Sequence, residues 1–103
     1  MAHRTFNVTI PSDTAYHQLY ALILLTTGSI PINGILPDRV QEFEMIPAPT
    51  NTLAVNVSDA NYINNAGFVL TGMTKRSTRN TICLKDYYIS GNAQGVIVDL
   101  EFV

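Results

Sequence analysis

The stretch "GVIVDLEFV" (residues 95–103) decides the fold class, because its apolar and polar side chains alternate with a period of two. Residues two apart lie on the same face of an extended strand, so the acidic Asp99 and Glu101 share one face. The other face carries four apolar side chains, those of Val96, Val98, Leu100 and Phe102. This alternation is typical of a strand with one face in a core and the other in water.

The same alternation recurs in three earlier segments, "RTFNVTI" (4–10), "VQEFEMI" (40–46) and "TLAVNV" (52–57). Their predicted inward residues are Phe6, Val8, Ile10, Phe43, Met45, Leu53, Val55 and Val57. Three shorter runs complete a series of seven candidate strands: "GFVLTGM" (67–73), "TICL" (81–84) and "DYYIS" (86–90). Turn residues separate the runs, as in "IPINGILPD" (30–38) and "SGNAQG" (90–95). The series predicts an all-β fold, a single-domain antiparallel β-sandwich over residues 1–103 with about seven strands, either jelly-roll or immunoglobulin-like.

Residues 12–25, "SDTAYHQLYALILL", do not fit the alternating pattern. Ser12 or Asp13 can cap a helix, and apolar residues follow at helical spacing, which predicts one short helix near residues 14–22. A strand buried on both faces is the alternative, because residues 22–25 are apolar without alternation. In either case the segment has more apolar surface than one strand can hide. We therefore predict a possible apolar interface made by Leu22, Leu24 and Leu25.

Composition bounds the function classes that the chain can belong to. Of the 103 residues 47% are hydrophobic and only 14% are charged, which indicates a real core and a surface partly covered by partners. The net charge of −2 gives no bulk attraction to nucleic acid or to an anionic membrane, so neither is an expected partner. The single cysteine, Cys83, excludes an internal disulfide and a cysteine-based zinc site. With no apolar signal segment at its start, the chain is expected to be made in a reducing cytoplasm.

Candidate catalytic and metal-binding groups are few. Four carboxylates form two pairs, Glu42 with Glu44 and Asp99 with Glu101. Each pair projects from one strand face and could bind calcium or act as acid and base, but the solvated faces of half-buried strands contain the same pattern. His3 and His17 are too few for a closed zinc site, so a local hydrogen bond between Asp13 and His17 is the favoured interpretation. We expect no cofactor and no enzymatic activity.

The segment "TKRSTRN" (74–80) concentrates positive charge in an acidic chain. It is predicted to form a long exposed loop between two short strands. Arginine pairs well with carboxylates, so Lys75, Arg76 and Arg79 are predicted to dock on an acidic partner surface. The alternative interpretation is a solvated turn with no partner.

From Phe43 onward the order of features resembles that of small β-sandwich virion accessory proteins of tailed bacteriophages. The similarity is carried by "NTLAVNVSDAN" (51–61), "AGFVL" (66–70), "LKDYYISG" (84–91) and "GVIVDLEFV" (95–103). These accessory proteins decorate or cement a capsid, or lie at the neck or tail. The resemblance implies a non-enzymatic structural virion protein, a homo-oligomer that contacts other copies of itself and a major capsid or neck protein.

Two other function classes remain open at this point. A carbohydrate-binding, lectin-like β-sandwich would hold sugar with Asn-rich loops and with Tyr62, Tyr87 or Tyr88. A small enzyme would need a pocket that unites His17 with Asp or Glu side chains.

Overall fold

The computed structural model describes residues 2–26, 38–59, 68–77, 79 and 82–102. These residues form ten short strands, one α-helix and one turn of 3₁₀-helix. The strands are β1 (Ala2–Thr9), β2 (His17–Gln18), β3 (Arg39–Val40), β4 (Glu42–Pro47), β5 (Asn56–Asp59), β6 (Phe68–Val69), β7 (Met73–Arg76), β8 (Ile82–Cys83), β9 (Tyr87–Ser90) and β10 (Gly95–Phe102). The helix α1 spans Leu19–Thr26 and the 3₁₀-helix spans Leu84–Asp86.

The strands pair in a nested order along the chain. β1 pairs with β10, β2 with β9, β3 with β8, β4 with β7 and β5 with β6, and every pair is antiparallel. Two further pairings, β10 with β4 and β5 with β9, join the strands into four-stranded sheets of order β1-β10-β4-β7 and β2-β9-β5-β6. We call these sheet A and sheet B. A long antiparallel ribbon folded into two such sheets is a jelly roll. The predicted all-β sandwich is confirmed.

The core lies between the two sheets and is filled by the predicted alternation. Phe43, Val98 and Leu100 of sheet A are completely buried, as is Ile89 of sheet B. Phe43 meets Tyr87 of sheet B edge-on, with ring centroids 5.0 Å apart and planes at 61°. Aromatic rings prefer such offset or edge-to-face contacts. The inward residues predicted for segments 4–10 and 40–46 are all in this core.

Helix α1 lies beside the first strands of the two sheets, β1 and β2, and packs on the 3₁₀-helix. Leu19, Leu22 and Ile23 are its buried residues. The prediction of a helix near residues 14–22 was wrong about where the helix begins. Asp13 does not start a helix, because its carboxylate accepts the Ala15 amide in a local turn. Residues 17–18 then pair with β9, so a helix can begin only at residue 19.

Two other sequence predictions need correction. The described residues form ten strands and not about seven, because short runs such as 67–73 divide into two strands on different sheets. Leu53 was predicted to face inward, yet 57% of its surface is exposed. The strand begins only at Asn56, and the residues before it follow a loop path set by two amide side chains.

The side-chain amides of Asn51 and Gln94 join the turn between β9 and β10 to the loop before β5. Gln94 is buried, and its Oε1 accepts the backbone N–H groups of Thr52 and Leu53 at 2.8 and 3.2 Å. Its Nε2 donates to the carbonyl of Asn92 at 3.1 Å. Asn51 forms two bonds of 2.8 Å with the backbone N–H and carbonyl of Gly95. Side chains thus supply the backbone hydrogen bonds that neither loop can make within itself.

Replacing Gln94 with Ala should lower the free energy of unfolding by about 1–3 kcal/mol, because two loop N–H groups lose their acceptor. Chemical denaturation monitored by circular dichroism measures this change. Gln18→Ala is the matched control, since Gln18 donates a single bond of 3.2 Å to the carbonyl of Lys85. We expect the control to change stability by about 0.5 kcal/mol or less. Equal effects of the two substitutions would contradict a special role for Gln94.

Candidate functional site

The basic segment is divided between a strand and the chain beyond it. Lys75 and Arg76 lie in β7, the last strand of sheet A, and only Arg79 lies past its end. The predicted loop 74–80 is therefore wrong at its start, because residues 73–76 pair with β4. Lys75 is opposite Phe43 and Arg76 is opposite Glu42, so their side chains leave opposite faces of the sheet. The three charges do not form one patch on a turn.

Arg76 has a partner within its own chain. Its Nη2 lies 3.0 Å from Oε1 of Glu42 on the neighbouring strand. This hydrogen bond, together with the charges of Glu42 and Glu101, raises the pKa of Arg76 above its ordinary value. Of the three predicted docking cations, Arg76 alone forms an ion pair with a described residue. Lys75 and Arg79 are exposed and remain the docking candidates.

The four paired carboxylates meet on the outer face of sheet A. The β4–β10 register places Glu44 opposite Asp99 and Glu42 opposite Glu101, and all four line a shallow cavity of about 130 Å³. Flanking strands contribute hydroxyl donors, Thr5 to Asp99 and Thr74 to Glu44 at 3.4 Å. Within the described ranges, no three or more His, Cys, Asp or Glu side chains are grouped so that they could hold a metal ion. Three of these carboxylates have partners on a flanking strand: Glu42 pairs with Arg76, Glu44 with Thr74 and Asp99 with Thr5.

The predicted apolar interface is only partly at the surface. Leu22 is 4% exposed and belongs to the core, so its inclusion was wrong. Position 22 lies on the inner face of α1, together with Leu19 and Ile23. Leu25 is 81% exposed, and Leu24 beside it is also exposed. We call Leu24 and Leu25 the helix patch.

A second group of exposed apolar residues lies at and near the edge of sheet B that is formed by β6. Phe68 and Val69 form β6, the last strand of that sheet, and both are 55% exposed. Val69 is opposite Asn56, which lines the same cavity as the exposed Leu53. Phe68 and Val69 project from opposite faces of this edge strand, so apolar surface is exposed on both of its sides. We call Leu53, Phe68 and Val69 together the strand patch. The sequence analysis did not identify it, because Leu53 and residue 68 were assigned to predicted strands.

The remaining candidates have local roles. Nε2 of His17 lies 2.8 Å from Oδ1 of Asp13, so the predicted hydrogen bond is confirmed. Tyr87 is half-buried against Phe43, and Tyr88 is half-buried on the opposite face of β9. Tyr62 lies outside the described residues, as does the side chain of His3. Cys83 is a half-buried free thiol in β8.

A cleft of about 350 Å³, absent from the sequence predictions, opens between three segments of the chain. Its walls come from the loop before β2, from the residues that lead into β5, and from the turn after β9. The side chains that define it are Thr14, Tyr16, Leu53, Asn56, Ser90 and Asn92. His17 is not among its lining residues, so the cleft does not unite His17 with carboxylates as the enzyme hypothesis requires.

Asn56 and Ser90 lie at the base of this cleft. They are direct neighbours in the β5–β9 pairing. Ser90 is 7% exposed and Asn56 is half-buried. Because the three walls are separated by roughly 35 residues or more in sequence, no local pattern in the chain indicates that they meet.

Comparison of the chain with protein-family models, with curated proteins and with solved structures finds no match. Among the described helical residues, none belongs to a helix long and apolar enough to cross a membrane. The candidate sites therefore have to be judged on their own geometry.

The thermal stability of the protein should depend on pH through the carboxyl group of Asp13. The hydrogen bond with His17, aided by the Ala15 amide, lowers the pKa of Asp13 below its ordinary value of 3.8. A carboxyl group whose pKa is lower in the folded state stabilises the fold above its unfolded pKa, and this contribution is lost as the pH falls through the folded value. Asp13→Asn should therefore lower Tm near neutral pH, and the difference from wild type should vanish as the pH drops below 3.8.

Thermal unfolding followed by circular dichroism over this pH range measures the effect. Asp86→Asn, a change at an exposed carboxylate in the 3₁₀-helix, is the control and should not reproduce it. A difference between Asp13→Asn and wild type that stays constant at all pH values would show that the carboxylate charge is not involved.

Proposed function

We propose that this chain is a non-enzymatic structural protein of a virus particle, of the decoration, cement or minor capsid type found in tailed bacteriophages. It stabilises the particle through oligomeric protein–protein contacts. The observation that carries the proposal is the grouped exposure of large apolar side chains in the helix patch and the strand patch. The jelly-roll topology supports it, because this architecture recurs in viral capsid proteins, although a fold alone does not decide function.

The exposed apolar residues support an interaction role because they occur in groups. Single exposed apolar residues are normal on a protein surface, whereas adjacent ones mark interaction sites. Phe68 faces the same side of sheet B as the buried Val57 and Ile89, yet more than half of it is exposed. A partner that covers such surface gains about 25 cal/mol per Å² before the costs of association.

The positions of the two patches suit repeated contacts between copies. The helix patch lies beside β1 and β2, the first strands of the two sheets, and β6 of the strand patch is the last strand of sheet B. Helix α1 and strand β6 are therefore at opposite edges of sheet B. Different surfaces at opposite edges allow head-to-tail association, which closes into rings or follows an array of shell subunits.

Leu25→Glu should weaken self-association at least roughly tenfold, because a charge would enter an apolar contact. Sedimentation velocity over a concentration series measures this change. Thr50→Glu is the control, since it adds the same charge at an exposed position outside the helix patch and the strand patch. A wild-type chain that stays monomeric at every concentration, and that does not sediment with shells of the virus that encodes it, would overturn the proposed function.

Reversal of two cations should weaken assembly in a salt-dependent way. The double variant Lys75→Glu with Arg79→Glu removes the exposed charges while it preserves the Arg76–Glu42 pair. We expect a clear loss of association at low salt and a smaller one at about 0.5 M salt, where surface charges are screened. The double variant Arg4→Glu with Arg39→Glu changes the net charge by the same amount at two exposed cations elsewhere and serves as the control. Equal losses in all variants would point to net charge and not to a docking site.

A further inference from the structure

We infer that the cleft bounded by Tyr16, Asn56 and Ser90 binds an uncharged, hydroxyl-rich ligand, namely a carbohydrate. This site shares Leu53 with the strand patch, but its argument does not depend on the proposed structural function. Of the tyrosines that the sequence suggested for sugar binding, the two described ones, Tyr87 and Tyr88, do not line the cleft.

The functional groups of the residues that line the cleft indicate which class of ligand it binds. Hydroxyl groups come from Thr14, Tyr16 and Ser90, and carboxamides come from Asn56 and Asn92. Such groups both donate and accept hydrogen bonds, as sugar hydroxyls do. None of the described residues that line the cleft is charged, so they offer no counter-charge to an anionic ligand such as a phosphate ester. Leu53 adds an apolar wall against which the C–H face of a sugar ring can pack.

Ser90 provides an independent indication of a ligand. Its side chain is more than nine-tenths buried, and the described part of the chain contains no hydrogen-bond partner for its hydroxyl. The side chain of Asn56, directly opposite on β5, likewise makes no hydrogen bond to a described residue. Buried polar groups are nearly always paired in folded proteins. The buried Ser90 and the half-buried Asn56 beside it, neither with a side-chain partner among the described residues, are what a ligand with several hydroxyls would satisfy.

The cleft is also held in shape before any ligand arrives. Gln94 binds the backbone of both rims, through the Leu53 N–H and the Asn92 carbonyl. At the base, a Cβ on Gly91 would lie 3.1 Å from Ile10 Cδ1 and 3.3 Å from Val55 Cγ2, so the backbone packs closely on the core. A preorganised site loses less entropy when it binds. The volume of about 350 Å³ is at the small end of ligand sites and suits a short saccharide.

Titration with neutral sugars, followed by ¹H–¹⁵N correlation spectra of the full chain, tests the inference. The probes are glucose, galactose, mannose, N-acetylglucosamine and their short homo-oligomers. We expect saturable shifts for at least one probe at the amides of Asn56, Ser90, Gly91 and Asn92, with a Kd of about a millimolar. No saturable shift with any probe up to about 50 mM would overturn the inference.

Two substitutions separate ligand binding from folding. Ser90→Ala should weaken binding roughly tenfold without lowering Tm, because it removes a hydroxyl that has no partner among the described residues. Asn56→Ala should weaken binding to a similar extent. Ser12→Ala and Asn7→Ala are the matched controls, since both change exposed residues outside the cleft and should bind as wild type does. Unchanged binding by Ser90→Ala, or a lower Tm for it, would overturn the assignment.

Discussion

Backbone hydrogen bonding between β1 and β10 brings the two ends of the described chain together, and four further antiparallel pairs nest inside it. Apart from the innermost pair, β5 with β6, each pair joins residues that are far apart in sequence, so each depends on the pair that encloses it or on the one that it encloses. Loop closure between distant segments is costly unless many pairs share the cost. Each sheet contains strands from both halves of the chain. Neither sheet is therefore complete until the two halves have paired along the ribbon.

Alternation along the ribbon determines what each surface contains. Once Phe43 and Leu100 point into the core, Glu42 and Glu101 have to share the outer face of sheet A, because a strand reverses its side chains at every residue. Like charges placed directly opposite each other are unfavourable. Arg76 and the hydroxyls of Thr5 and Thr74 stand on the flanking strands and offset that repulsion. A site-like cluster of carboxylates thus arises from sheet geometry alone.

The sequence predicted those parts of the fold that depend on local period. Phe43 and Val98 were correctly predicted to be buried, because their strands alternate without interruption. The start of α1 was predicted wrongly, because an Asp that caps a helix and an Asp that closes a turn look the same in sequence. What distinguishes the two at Asp13 is that residues 17–18 pair with β9, about seventy residues later. The cleft could not be predicted at all, because Tyr16, Asn56 and Ser90 come from three distant segments and become neighbours only through the nested pairing.

Leu53 connects the two proposed activities. Its amide is bound by Gln94, and its exposed side chain belongs both to the strand patch and to the cleft wall. A partner that covers Phe68 and Val69 would therefore approach the cleft mouth, whereas a partner on Leu25 would contact the opposite edge of sheet B. Attachment to a particle through the helix patch does not use Leu53, so adhesion through α1 and ligand binding in the cleft are compatible in the same molecule.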